Sequence, residues 1–485
     1  MMSKKSVIYQ LVTDRFDNDS GTLHERIHDH DYNERFGDFL GGTFRGIMQR
    51  LDHISGLGVT HILISPVQEC RYYHGYNFDN SFAINRRFGS EHDLEALVDE
   101  CHRRGIGVIM DYVSTHVSSR HPLFLENAVY GSDKELDRFL FVDRMRRQKK
   151  FRPYYDEIVY KLTSGRPHEI ASVNRWPYLG YFGLEEYPLL NLEHPKNVEF
   201  HKKVLKHWIT SFGFDAVRFD SGFIQPRNYL RAMQDFLSTI GDVDVLAEYW
   251  GFEVSHGQGY GYSGGDCYGF CNGEFDIGST LEFNFRSGLP EFFSKVIKNY
   301  YHFAELQKQY RSIVSLNNHD IPRFRGGRNM QKILATLKFT LPSIPMLYYG
   351  DEIGMEQYND GRDRVGQSRD PMRFDIADDD MLNFYRTLVR FRRENDFDDH
   401  QISDVQINDA GALMTYRVHL DGRSYLVFLN KEDRAKPVDC SALFDGPKAV
   451  LKDILTGESA GLGGIILDGE SARVLEELGE EVQQS

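Results

Sequence analysis

The chain has 485 residues, 41% of them hydrophobic and 27% charged, which fits a globular protein with one large domain and smaller ones. A net charge of −15 argues against nucleic acid, whose phosphates demand a basic surface, and suits a neutral ligand. The 27 Tyr and 34 Phe exceed what a core needs and provide flat faces for sugars or bases.

The N-terminus runs directly into strand-like residues 7–12, with no apolar run long enough for a signal peptide or a membrane span. The five cysteines have neither paired nor metal-ligand spacing, and an odd count fits a reducing compartment. The protein is therefore expected in the cytoplasm, with no membrane partner.

A helical pattern spans 44–57, with Ile47, Leu51 and Ile54 on one face and Gly58 at its end. Residues 61–65 form a second strand, stopped by Pro66. Ser90 caps a helix to Arg104, closed by Gly105, and 107–111 is a third strand. From 118 to 195 the period is lost. That stretch is too long for a plain loop and reads as an inserted subdomain.

The rhythm resumes with a helix over 197–212 and a strand, Gly213-Phe214-Asp215-Ala216-Val217-Arg218-Phe219-Asp220. A helix at 228–239 leads to a strand at 244–248. Further strands are read at 281–285, 313–316 and 344–349, with helices at 330–340 and 380–393. Eight strands alternating with helices imply a parallel sheet closed into a (β/α)8 TIM barrel. An open doubly wound sheet is the nearest rival, but no glycine-rich phosphate loop opens an early helix. Past residue 400 the texture is antiparallel β, with a hairpin at 412–418 and 425–429 turned by Asp421-Gly422, then strands near 449–451 and 472–475. The domain reading is barrel at 1–117 and 196–398, insertion at 118–195, and a C-terminal β-sandwich at 399–485.

In such a barrel the active site lies at the C-terminal strand ends. Strand three ends on Asp111 and runs to His116, strand four on Asp220, strand five on Glu248, and strand seven on Asn318-His319-Asp320. A lone Arg218-x-Asp220 pair is most simply a structural ion pair. Four carboxylates in one mouth repel each other, and function is the usual reason to keep them. Paired carboxylates point to glycoside hydrolysis, one as nucleophile or base and the other as acid. Phosphoryl transfer would want a phosphate loop, and a metal hydrolase more central histidines.

These stretches resemble the α-amylase superfamily, glycoside hydrolase family thirteen, from Tyr9-Gln10 to the β domain. The motifs fall in order on strand ends: Asp111 to His116, Gly213 to Asp220, Glu248, and Asn318-His319-Asp320. His74-Gly75-Tyr76, residues 349–355 and residues 370–375 match accessory stretches. The resemblance implies that Asp220 is the nucleophile, Glu248 the general acid and base, and Asp320 the stabiliser of the transition state. Arg218 would orient Asp220. His74, Tyr76, Asp111, His116, Asn318, His319 and Arg369 would line the sugar subsite, with Tyr76 stacking on the ring. The anomeric configuration would be retained, with nucleophile and acid about 5–5.5 Å apart.

This sequence departs from the family pattern at several places. Thr115 stands where Asn usually precedes the first motif's histidine, Asn77 where exo-acting members carry Asp, and Ser221 opens a stretch without the usual polar pair. No cofactor is implied for the chemistry; a structural calcium would sit near Asn18 and Asp19. The expected function is retaining hydrolysis of α-glucosidic, mainly α-1,4, bonds in malto-oligosaccharides or related α-glucans, by a monomer or homodimer. The alternatives are a transglycosylase or isomerase of the same chemistry, and an inactive carbohydrate-binding relative. Trp176 and Tyr178 in the insertion are candidates for sugar stacking or plain packing.

Overall fold

The computed structural model describes residues 2–19, 39–129, 135–145, 147, 150, 152–162, 174–249, 272–276, 293–294, 312–320, 323–356, 368–398, 400–408, 412–438, 450–460 and 465–478. Eight parallel strands close into a barrel: β1 (Ile8–Leu11), β2 (His61–Ile64), β3 (Gly107–Tyr112), β4 (Ala216–Phe219), β5 (Asp244–Tyr249), β6 (Asn272–Asp276), β7 (Ser312–Ser315) and β8 (Ile344–Tyr348). Each strand pairs with its sequence neighbour in the barrel, and β1 pairs with β8 to close the ring. This is the (β/α)8 architecture.

One strand differs from the sequence reading. The sixth barrel strand is β6, Asn272–Asp276, bonded to β5 and β7, and not residues 281–285, which lie outside the described residues. Its sequence, Asn-Gly-Glu-Phe-Asp, carries a single large apolar residue, so an apolar-run criterion passes over it. The helix expected over 44–57 is two helices, Phe44–Gln49 and Leu51–Leu57. The break falls at Arg50, whose N–H turns back to Ile47.

The barrel interior explains where the charges go. Ile8, Leu63, Ile109, Ala216, Leu246, Ile313, Ile344 and Met346 form a buried plug inside the ring. Each of the Ile, Leu and Met side chains among them contributes about 1.5–3 kcal/mol by leaving water. Because side chains repeat every second residue, the next inward position on β3 is Asp111, on β4 is Arg218 and on β5 is Glu248. The same inward face is therefore apolar at the bottom and charged at the top.

Ser90 caps the helix Glu91–Arg103 as its sequence predicts, within a capping box in which Ser90 and Asp93 satisfy each other's backbone N–H. A short antiparallel pair, Gln68–Cys70 with Phe78–Ile84, follows β2 and carries His74-Gly75-Tyr76 in its connection. Gly75 is needed there: its φ is +81°, and a Cβ would meet the Pro66 carbonyl oxygen at 2.3 Å.

The long segment between β3 and β4 leaves the barrel and returns through bridges pairing His116 with Leu189 and Gly180 with Pro188. It contains a helix, Arg152–Leu162, that the sequence period did not reveal. The C-terminal part is a six-stranded antiparallel sheet plus a two-stranded one, Lys436–Val438 with Ile465–Leu467. One face of the larger sheet packs Met414, Tyr416 and Val427 near Ile333, Leu334 and Leu337 of the barrel helix Gly327–Thr340. The other packs Leu426, Phe428 and Leu475 against Ile465 and Leu467 of the small sheet.

Candidate active site

Asp111, Arg218, Asp220 and Glu248 meet at the C-terminal ends of β3, β4 and β5. Arg218, fully buried, donates from Nη1 to Asp111 Oδ1 at 2.7 Å. The same nitrogen lies 3.6 Å from Asp220 Oδ1, and Nη2 lies 3.3 Å from Glu248 Oε2. One guanidinium thus faces three carboxyl groups. Burial, then the neighbouring Glu248, push the Asp220 carboxyl well above its usual range, and Arg218 pulls it back only in part. Like charges this close disfavour ionisation of Asp220 beside Glu248.

Ser221, immediately after Asp220, ties the pair. Its backbone N–H donates to Glu248 Oε2 at 2.7 Å, and its hydroxyl donates to Asp220 Oδ2 at 3.0 Å. Its φ is +54°, a left-handed conformation that costs a non-glycine residue of order 1–3 kcal/mol. Gln225 Nε2 holds the Asp220 carbonyl at 2.7 Å. Gly222 lets β5 approach, since a Cβ there would lie 2.8 Å from Ala247 Cβ and 2.9 Å from the Glu248 carbonyl.

The opposite wall comes from the ends of β7 and β8. Arg369 donates to Asp320 Oδ1 at 2.8 Å and to the His319 carbonyl at 2.7 Å. Asn318 Oδ1 accepts the Asp320 N–H at 2.8 Å, which shapes this turn. Burial pushes the Asp320 carboxyl up, but His319, Arg369 and Arg218 together hold it below its usual range. With its side chain 29% exposed, against 9% and 7% for Asp220 and Glu248, it is the most accessible of the three.

Tyr76 closes the gap between the walls. Its hydroxyl donates to Asp111 Oδ2 at 2.6 Å and lies 2.6 Å from His319 Nε2. Its ring stacks on His319 at 5.0 Å and 4°, and lies near-parallel to His74 at 5.9 Å. Gln10 Nε2 faces His319 Nδ1 at 3.0 Å, so the ring proton sits on Nε2, toward Tyr76. The hydroxyl and ring of Tyr76, expected to stack on sugar, are engaged with protein groups in this structure. His74 Nδ1 accepts the Tyr76 N–H at 3.0 Å and orients that loop.

His116 donates from Nε2 to the Tyr76 carbonyl at 2.8 Å, and Thr115 Oγ1 lies 3.0 Å from its Nδ1. Burial lowers its pKa to about 4 and that of His319 to about 3, so both are neutral near pH 7. On His116 stacks Tyr181 of the inserted segment, ring to ring at 4.8 Å. Tyr181 places its hydroxyl 2.5 Å from Ser221 Oγ. Sequence reasoning missed Tyr181 and noted Ser221 only as a departure from the family pattern. Of the two insertion aromatics it named, Tyr178 is buried between Phe124 and Phe141, and Trp176 bonds the Gly183 carbonyl at 3.2 Å. Both therefore pack.

The calcium position fits poorly. Asp17 pairs with Arg50, and Asp19 accepts from Thr43 and faces Arg45 at 4.0 Å. Among the described residues no group of three or more His, Cys, Asp or Glu could hold a metal ion.

A parallel eight-stranded barrel with buried carboxylates at the ends of β4 and β5 and a third after β7 has the architecture of the barrel glycosidases. The family model described as Alpha amylase, catalytic domain, matches residues 10–405, and the chain belongs to that family. Similar curated proteins include an Alpha-amylase 2 of Dictyoglomus thermophilum, 27% identical over 81% of this chain and 64% of that protein. A cyclomaltodextrinase of a Bacillus species is 26% identical over 73% of this chain and 59% of that protein. The chain thus spans about three fifths of these relatives' length. Among solved structures, an Anoxybacillus α-amylase superposes with a TM-score of 0.76 at 21% identity, covering 99% of both chains.

Proposed function

We propose that this protein is a retaining glycoside hydrolase that cleaves α-glucosidic, mainly α-1,4, bonds in malto-oligosaccharides or related α-glucans. The observation that carries this reading is the joining of Asp220 and Glu248 through Ser221 and the Arg218 fork, opposite Asp320 held by Arg369.

These contacts support the roles that the family resemblance implies. Protonated Glu248 gives its proton to the glycosidic oxygen as the bond breaks. Asp220, its charge faced by Arg218 and Ser221, attacks the anomeric carbon and forms a β-glycosyl ester. Asp320, the exposed and ionised carboxylate, accepts sugar hydroxyls and stabilises positive charge on the ring. Glu248, now a carboxylate, takes a proton from water, whose oxygen attacks the same carbon and releases Asp220. Two inversions give retention.

Asp111, through Arg218 and Tyr76, fixes the floor of the subsite, and His74, His116, Asn318 and His319 fix its walls. These steps need no cofactor. A sugar hydroxyl in place of water gives transfer instead of hydrolysis by the same residues. Among the relatives, a 4-alpha-glucanotransferase of Thermotoga neapolitana is 28% identical over 66% of this chain.

No helix among the described residues is long and apolar enough to cross a membrane. We place the protein in the cytoplasm, as a monomer or homodimer with short α-glucans as substrate.

The test is product analysis on maltotriose, maltoheptaose, β-cyclodextrin, isomaltose and sucrose, with Asp220→Asn as control. Shorter products that vanish in the variant support hydrolysis at Asp220, and products longer than the substrate establish the transferase. Activity that survives in the variant overturns the nucleophile.

A further inference from the structure

Among the described residues, the inserted segment reaches the nucleophile's neighbour Ser221 through Tyr181. Its Gly180-Tyr181-Phe182-Gly183 turn is built to hold a fixed shape. Phe182 has φ +49° and Gly183 φ +76°, and a Cβ on Gly180 would meet the Leu184 carbonyl at 2.0 Å. Asn174 Oδ1 accepts the Gly180 N–H at 2.8 Å, the Tyr187 carbonyl accepts the Tyr181 N–H at 2.9 Å, and Trp176 holds the Gly183 carbonyl. Strained backbone supported on several sides is often functional. What this turn presents is the Tyr181 ring, stacked on His116, with its hydroxyl on Ser221.

The direction of the hydrogen bonds follows from the chemistry. An ionised Asp220 accepts only, so the Ser221 hydroxyl proton points at Asp220 Oδ2. The Ser221 oxygen is then an acceptor toward Tyr181, and the phenol donates. Each donor in such a chain is polarised by the next.

We propose that Tyr181 and Ser221 form a hydroxyl relay by which the inserted segment holds and charges the nucleophile Asp220. The inference rests on the retaining mechanism proposed above. Tyr181 acts through Ser221 and touches no reacting atom, so it is a positioning residue. Asp220 is also faced by Arg218 on its own strand, Asp111 on β3, Glu248 on β5, Asp320 after β7 and the Tyr76 phenol. Of these, only Arg218 is a fixed cation, and its nearest nitrogen is 3.6 Å from Asp220 Oδ1. The relay provides the shorter contact, and a donor to the ionised form lowers a carboxyl's pKa.

The test compares Tyr181→Phe, Ser221→Gly and the double variant. Glycine suits the left-handed backbone at 221 and retains the N–H toward Glu248, so the hydroxymethyl group is lost without backbone strain. Three readouts are taken: the pH profile of kcat/KM, the thermal midpoint, and the rate of labelling by 5-fluoro-α-D-glucosyl fluoride. In that labelling Asp220 displaces fluoride and the ester is located by peptide mass mapping. The relay predicts an acidic limb displaced to higher pH in each single variant, labelling slowed about tenfold, and thermal midpoints near wild type. It also predicts a double variant no worse than Ser221→Gly, because Tyr181 has nothing left to act on.

A Tyr181→Phe enzyme with the wild-type profile and labelling rate overturns the relay. So does a Tyr181→Phe effect that persists in the Ser221→Gly background. A wild type that takes no label at Asp220 overturns the assigned nucleophile and the relay together, which separates the two failures.

Discussion

Arg369 sets its Nη2 2.8 Å from Asp320 Oδ1 while its Nε holds the His319 carbonyl at 2.7 Å. One side chain therefore fixes both the position and the charge of the third carboxylate. Arg369→Ala removes a cation that helps hold Asp320 below its usual pKa. The Asp320 pKa then rises toward its usual range, while the acidic limb of kcat/KM, set by the higher-titrating Asp220 carboxyl, stays in place. Loss of a charge-assisted bond lowers kcat/KM by about tenfold or more. Steady-state kinetics across pH 4–8 check this.

Asp220→Asn separates activity from stability. The Asp220 carboxyl is raised by burial and by Glu248, so its charged form opposes folding. A raised carboxyl contributes most to stability while it stays protonated, and that contribution is lost as pH rises through its folded value. The neutral amide removes this loss. Asp220→Asn is expected to be inactive, with a thermal midpoint above wild type at pH 7 and a smaller gain at pH 4. Calorimetry at the two pH values reads it.

Gly222→Ala tests the seating of the acid. The added Cβ meets Ala247 Cβ at 2.8 Å and the Glu248 carbonyl at 2.9 Å, so β5 must shift. Overpacking of this kind costs about 1–3 kcal/mol of stability. The expected result is a lower thermal midpoint and a fall in kcat larger than the rise in KM, measured on one maltodextrin.

His116 and His319 are expected to stay neutral through the working range, with pKa values of about 4 and about 3. Their imidazole proton resonances should not titrate between pH 5 and 8. Both sit below the unfolded value, so protonation favours unfolding. The neutral-ring contribution is present above pH ~6.5 and is lost as pH falls toward the folded values. Histidine NMR with His116→Asn and His319→Asn for assignment checks this.

The barrel was legible because most of its strands are apolar runs, and three of them, β3, β4 and β5, end at a carboxylate, as in Ala216–Phe219 before Asp220. The inward period of two then places Asp111, Arg218 and Glu248 above the plug without further information. Strand β6 was not legible because Asn272–Asp276 has little apolar content. The calcium expectation near Asn18 and Asp19 meets arginines at Arg45 and Arg50, partners that no local pattern announces.

The contacts of Tyr181 and Ser221 were hidden for different reasons. Tyr181 lies in an aperiodic insertion, where its neighbour across space is forty residues away. Ser221 is adjacent to Asp220 in sequence, but a serine gives no hint that its φ is +54°. The Tyr76 contacts with His319 and Asp111 likewise depend on the close approach of β3 and β7 ends.

The most direct test of the central claim is the anomeric configuration of the first product. Maltoheptaose is mixed with enzyme, and the new reducing end is followed by proton NMR before mutarotation. An α-configured product that later equilibrates is the result predicted for attack by Asp220 and return through the same face. A β-configured first product would mean direct attack by water, and would contradict the assignment of Asp220 as nucleophile.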